Sequence, residues 1–206
     1  MLQAFLHGMV LAFGLILPLG AQNVFVFSQG AAQPTFMRAL PVVLTASLCD
    51  TILIALAVLG VSLVVLTFTW LKTMLFAIGV LFLLYMGWVT WRSDSHIKNG
   101  EQESLPPKKQ IAFAASVSLL NPHAILDTIG VIGTSSLTYA GGEKWAFALS
   151  CILISYVWFF GLAIGGRMLG TLDKTGRWMK AINRGSALLI WGVACYMAVQ
   201  LFTALT

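Results

Sequence analysis

The chain has 206 residues, 59% of hydrophobic types and only 9% charged, with a formal net charge of +5 and a mean hydropathy of +0.90. A soluble domain carries about a quarter charged residues, so this composition excludes one and points to an integral membrane protein in a single domain, residues 1–206. The basic residues fall mainly in two loops, which reads as anchoring at a lipid surface and not as nucleic-acid binding.

The length accommodates about six spans of roughly 20 residues each, with short loops. Met1 to Met37 holds no Lys, Arg, Asp or Glu. This opening stretch is too long for a signal peptide and lacks a positive leader, so it is expected to be the first span. Span one is predicted from about Leu2 to Phe27, interrupted at Pro18-Leu19-Gly20-Ala21-Gln22-Asn23. Span two follows from about Ala39 to Leu66 and carries Asp50 near its centre. Span three, from about Thr73 to Trp91, has no charge. Residues 92–109 form a polar linker with Pro106-Pro107. Span four runs from about Gln110 to Tyr139, broken at Asn121-Pro122. Gly141-Gly142-Glu143-Lys144 is expected as a tight loop, and span five runs from Trp145 to Gly166. Residues 167–184 are a second basic stretch with an interfacial helix turn around Trp178, and span six runs from Gly185 to about Leu205. The apolar runs are far too long for barrel strands, so the expected fold is all-α.

The loops after spans one, three and five hold ten Lys/Arg, against two on the other side (Lys72 and Lys144). The excess places those loops in the cytoplasm and both termini outside. Pro18 lies five residues before Asn23, and Pro122 five before Asp127. Two halves of three spans each, about 1–91 and 110–206, must be inverted relative to one another. The expected architecture is therefore six transmembrane helices as two inverted three-helix repeats, with broken spans one and four at the interface.

Asn121-Pro122 explains the second break. Proline cannot continue a helix but can open one, with Asn as the N-cap and Pro at the first helical position. Non-helical backbone at membrane depth is tolerated only against protein or a water-filled space. Asp50 and Asp127 are the charges well inside the spans. A carboxylate at that depth costs about 2.5–3.5 kcal/mol on insertion scales, which makes both acids functional candidates, although hydrogen bonding between close-packed helices is the alternative. Ionised they bind a cation, and they can also exchange protons. A half-helix N-terminus at Pro122 suits a carboxylate. The combination fits an amino acid, and most simply a basic one. Gln22 and Asn23 are expected to line the same space or to cap their own broken helix. Asn121 reads more as a cap than as a ligand. Trp158 could stack on a guanidinium or simply pack. Gly161-xxx-Gly165 and Gly166-xxx-Gly170 predict close helix contact, between protomers among other options. Cys49, Cys151 and Cys195 give neither a disulfide framework nor a metal spacing, His123 alone is no metal site, and no nucleotide-binding loop is present, so neither a cofactor nor an enzymatic activity is expected.

Leu17-Pro18-Leu19-Gly20-Ala21-Gln22-Asn23-Val24, Asp50 in span two, and Leu120-Asn121-Pro122-His123-Ala124-Ile125-Leu126-Asp127-Thr128 resemble the lysine exporter superfamily, most closely its lysine/arginine exporter branch. Ser155-Tyr156-Val157-Trp158-Phe159-Phe160-Gly161 resembles the fifth span of that branch. The resemblance covers nearly the whole chain. It implies export of L-arginine and L-lysine across the bacterial cytoplasmic membrane, driven by the membrane potential or proton gradient. It also implies that Asp50 and Asp127 are the important acids, and it is compatible with a homodimer. The family pattern has Pro where Ala21 stands, so this chain is expected to have a softer first break. Other readings stay open: a neutral amino acid or a cation as cargo, a thiol–disulfide electron carrier using Cys49 and Cys151, or a non-transporting membrane subunit.

Overall fold

The computed structural model describes residues 1–17, 20–61, 69–92, 104–119, 121–172 and 177–205. Among these the chain is helical, with no strand. The helices are α1 (Leu2–Ile16), α2 (Ala21–Ala32), α3 (Phe36–Leu56), α4 (Thr69–Arg92), α5 (Pro107–Leu119), α6 (Pro122–Asp127), α7 (Gly141–Leu172) and α8 (Arg177–Leu205). Helix α3 with its extension to Gly60, and α7, are each long and apolar enough to cross a membrane; the bent pair α1–α2 qualifies as a third such span.

The axes of α1 and α2 meet at 80° even with Ala at position 21. Pro18, the expected breaker, lies outside the described residues. Ala21 is the first residue of α2, after a Gly20 in extended conformation. That is the helical position at which proline and alanine are interchangeable, because the N–H there has no intrahelical partner. Ala21→Pro is therefore expected to leave the folded yield and thermal midpoint within experimental scatter of the parent.

Three expectations are corrected in detail. Regular α-helix in span two ends at Leu56, short of Leu66; the chain kinks within the following residues, Ala57–Val61, where Gly60 has φ 101°. A positive φ is cheap only for glycine, which is why the kink falls at Gly60. Gly141 to Lys144 is not a loop but the first turn of α7. Glu143 sits in that turn, favoured by the helix dipole, and pairs with the Met1 ammonium group. The last helix starts at Arg177 and not at Gly185, so the helix turn expected around Trp178 is its first turn.

Helix α7 is the central strut and packs on α1, α2 and α3. Its contact with α2 is made by glycines. A Cβ on Gly166 would run into the Phe27 carbonyl, one on Gly170 would lie 2.6 Å from the Ala31 carbonyl, and one on Gly30 would strike the Ala163 backbone. The Gly166-xxx-Gly170 pair thus holds two helices of the same chain together and is not available to a second protomer. Helices α4 and α8 form a second pair: Trp191 lies across Gly87 and donates its Nε1–H to the Leu84 carbonyl at 3.2 Å.

One end of the bundle is tied by three buried glutamines. Gln33 Nε2 donates to Gln29 Oε1 (3.2 Å) and to the Leu105 carbonyl (2.8 Å). Gln110 Nε2 donates to the Leu105 carbonyl (2.8 Å) and the Arg38 carbonyl (3.0 Å), and Arg167 donates to the Gln33 carbonyl (3.3 Å). These bonds join α2, α3, α5 and α7 where the basic residues gather. Met1, His7, Tyr139 and Glu143 meet at the opposite end, with His7 Nδ1 and the Tyr139 hydroxyl 2.8 Å apart. Gln110→Ala removes both hydrogen bonds of a fully buried side chain, to the Arg38 and Leu105 carbonyls, and should cost about 1–3 kcal/mol. Its thermal midpoint should fall clearly below that of the exposed control Lys109→Ala; equal midpoints would show that the tie is not structural.

Candidate substrate-binding site

The two broken helices meet at a cavity of about 400 Å³. Its walls come from α1 (Ala12, Leu15, Ile16), the start of α2, α3 (Asp50, Ile54), the α6 region, α7 (Ser155, Phe159) and α8 (Leu189, Ile190, Val193). The volume lies in the range of small-molecule pockets, and the lining has the usual character of many apolar groups and a few convergent polar ones.

Local sequence explains each polar group. Gly20 carries no side chain to cap α2, and the first helical bond runs from the Val24 N–H to the Gly20 carbonyl (3.1 Å). The N–H groups of Ala21 and Gln22 thus begin the helix without an intrahelical partner, beside the cavity. Asn23 Nδ2 donates to the Ile16 carbonyl at 2.8 Å and so closes the C-terminal end of α1. Gln22 reaches the other way, and its Nε2 donates to Asp50 Oδ1 at 3.2 Å. The two residues split the roles between which sequence could not choose: Asn23 caps and Gln22 engages the acid, while both line the cavity.

Asp50 Oδ2 accepts a hydrogen bond from Ser155 Oγ at 3.0 Å. Both oxygens of Asp50 are therefore engaged by neutral donors, and among the described residues no Lys or Arg pairs with it. Asp127 lies at the end of α6, on the same cavity and half-buried. The helix widens into a π turn, Thr128–Gly133, directly after it. Such insertions cluster at functional sites because they re-aim neighbouring side chains. Asn121 precedes α6, its carbonyl accepts from the Ile125 N–H (3.1 Å) as an N-cap does, and its side chain also lines the cavity. Pro122 is the first residue of α6, as its chemistry requires.

The cavity thus gathers Gln22, Asn23, Asp50, Asn121, Asp127 and Gly20. Trp158 is not in its described lining. It packs with the Phe25 cluster and meets Phe13 edge-on at 5.9 Å, while the next residue, Phe159, faces the cavity. Ser155, Phe159 and Thr128 were not singled out by sequence. Ser155 opens the run that resembles the family's fifth span, but a hydroxyl in an apolar helix usually bonds its own backbone, so that run did not mark it as a site residue. Cys49 and Cys151 are buried free thiols outside the described lining, and Cys151 Sγ lies 3.5 Å from the Gly8 carbonyl.

Apolar helices broken around a shared cavity, with acids and helix N-termini turned to it, define a membrane transport protein. The comparison with known families makes this specific. The LysE type translocator family matches residues 13–201, and the chain belongs to that family of amino-acid exporters. It is 58% identical over 201 residues to a protein of Bacillus subtilis (strain 168) named "Putative amino-acid transporter YisU", covering 98% of this chain and 91% of the relative. It is 34% identical over 203 residues to the arginine exporter protein ArgO of Pectobacterium carotovorum subsp. carotovorum (96% and 98% covered). It is 32% identical over 202 residues to the ArgO protein of Salmonella schwarzengrund (96% and 94% covered). No solved structure matches the chain.

Proposed function

We propose that this chain exports basic L-amino acids, arginine and lysine, from the cytoplasm by alternating access at the Asp50–Asp127 cavity. The observation that carries the reading is the pairing of two acids on one cavity whose described lining holds no Lys or Arg. Such a site attracts a cation. The relatives named as arginine exporters support the same cargo. The two carboxylates between them hold the side-chain cation, with Asp127 also able to exchange a proton and Asp50 assisting. The helix starts at Ala21 and Pro122 offer N–H groups to the substrate carboxylate. The apolar wall of Leu15, Ile16, Phe159 and Ile190 suits the aliphatic stem.

In this reading the chain has six spans as two inverted repeats that rock about the two breaks. The ten-to-two excess of basic residues supports both termini outside. The glutamine-tied end then faces the cytoplasm. Binding is the simplest test. A ligand at 100 times its Kd stabilises by about 2.7 kcal/mol. L-Arginine and L-lysine should raise the thermal midpoint of the purified protein and L-threonine should not. Stabilisation by threonine alone would move the assignment to a neutral cargo.

A further inference from the structure

Hydroxyls in the apolar helices of this chain mostly bond back to their own backbone. Thr45 donates to the Pro41 carbonyl (2.7 Å), Thr51 to Ser47 (2.8 Å), Ser116 to Ala112 (2.8 Å), Ser150 to Phe147 (2.7 Å) and Thr171 to Met168 (2.8 Å). This is the default for Ser and Thr in a helix, where no other acceptor is near. Ser155 departs from it. Its hydroxyl leaves its own helix and donates across to Asp50 Oδ2. It is only 3% exposed, on the inward stripe of α7 that also carries Cys151, Phe159 and Ala163. Gln22 holds the other oxygen from α2. The carboxylate is thus clamped from two helices, one donor per oxygen.

A carboxylate has about four acceptor positions. With one taken on each oxygen, one remains on each. That arrangement matches a guanidinium, whose planar fork presents two parallel N–H groups to one carboxylate. An ammonium is a point charge and has no such demand for alignment. We infer that Ser155 is a positioning residue that fixes the plane of the Asp50 carboxylate and so sets the preference of the site for arginine over lysine. The inference rests on the basic amino-acid reading and deepens it. Without the Ser155 hydroxyl, Asp50 keeps its charge in the cavity but loses its fixed plane. Lysine is then still held, and arginine loses its second tooth.

The test is the KM of labelled L-arginine and of labelled L-lysine for export by the full chain in proteoliposomes, for the parent, Ser155→Ala and Ser155→Thr. Ser155→Ala should raise the arginine KM by about tenfold or more, the scale of a hydrogen bond to a charged group, and the lysine KM by no more than about twofold. Ser155→Thr retains the hydroxyl and should keep the ratio of the two KM values near that of the parent. Equal rises for both substrates in Ser155→Ala, no rise for either, or the same ratio in the Ala and Thr variants would overturn the inference, since a packing role alone does not distinguish the substrates. A parent protein that carries neither substrate would instead remove the basic-cargo reading.

Discussion

Asp50→Asn and Asp127→Asn should each lower arginine efflux by about 100-fold or more. Each change is isosteric and removes one of the two acids that the described lining offers a cation. Truncating one member of a buried hydrogen-bonded charge pair costs about 2–5 kcal/mol, which spans roughly 30-fold to over 1,000-fold. Folding should survive. At position 50 the new amide can donate to Ser155 Oγ, which rotates to accept, while the remaining carbonyl oxygen still receives Gln22 Nε2. The thermal midpoint of each variant should therefore stay close to the parent while arginine no longer raises it. Variants that unfold would make the acids structural; variants that transport normally would remove them from the site.

The largest effect on stability is expected at the α2–α7 contact. In Gly166→Ala the added methyl group meets the Phe27 carbonyl and the Ala31 backbone, neither of which can move without shifting α2. Overpacking typically costs about 1–3 kcal/mol, and a backbone-to-backbone clash belongs at the upper end. Gly161→Ala, five residues earlier on the same helix, is the matched control, because nothing lies within 4 Å of its added Cβ. Its midpoint should be unchanged or slightly raised, since alanine is the better helix former. The comparison is read directly from thermal unfolding of the two purified proteins. Similar midpoints would mean that α2 and α7 are not in close contact.

These contrasts show what sequence could and could not supply. The breaks were legible because Asn121-Pro122 has one sensible reading in a helix: a cap followed by a first residue. The buried acids were legible because a charge in an apolar span has few bland explanations. The partner of a glycine stripe was not legible. Gly166 and Gly170 predict a close neighbour without naming it, and the neighbour proved to be α2 of the same chain. Trp158 and Phe159 differ by about 100° around the helix, so choosing the aromatic that faces the cavity needed the rotation of α7 and not its composition. The glutamine tie was invisible for a similar reason. Gln29, Gln33 and Gln110 look like ordinary polar residues at span ends until their shared Leu105 anchor is seen.

Export requires that a cationic amino acid pass through the cavity of Asp50 and Asp127. The decisive measurement is efflux of labelled L-arginine from proteoliposomes containing the parent chain, with Asp127→Asn of matched stability alongside. The parent should show efflux and competition by L-lysine, and the variant should lose both. Undiminished arginine efflux in Asp127→Asn, or none in a folded parent, would contradict export through this cavity.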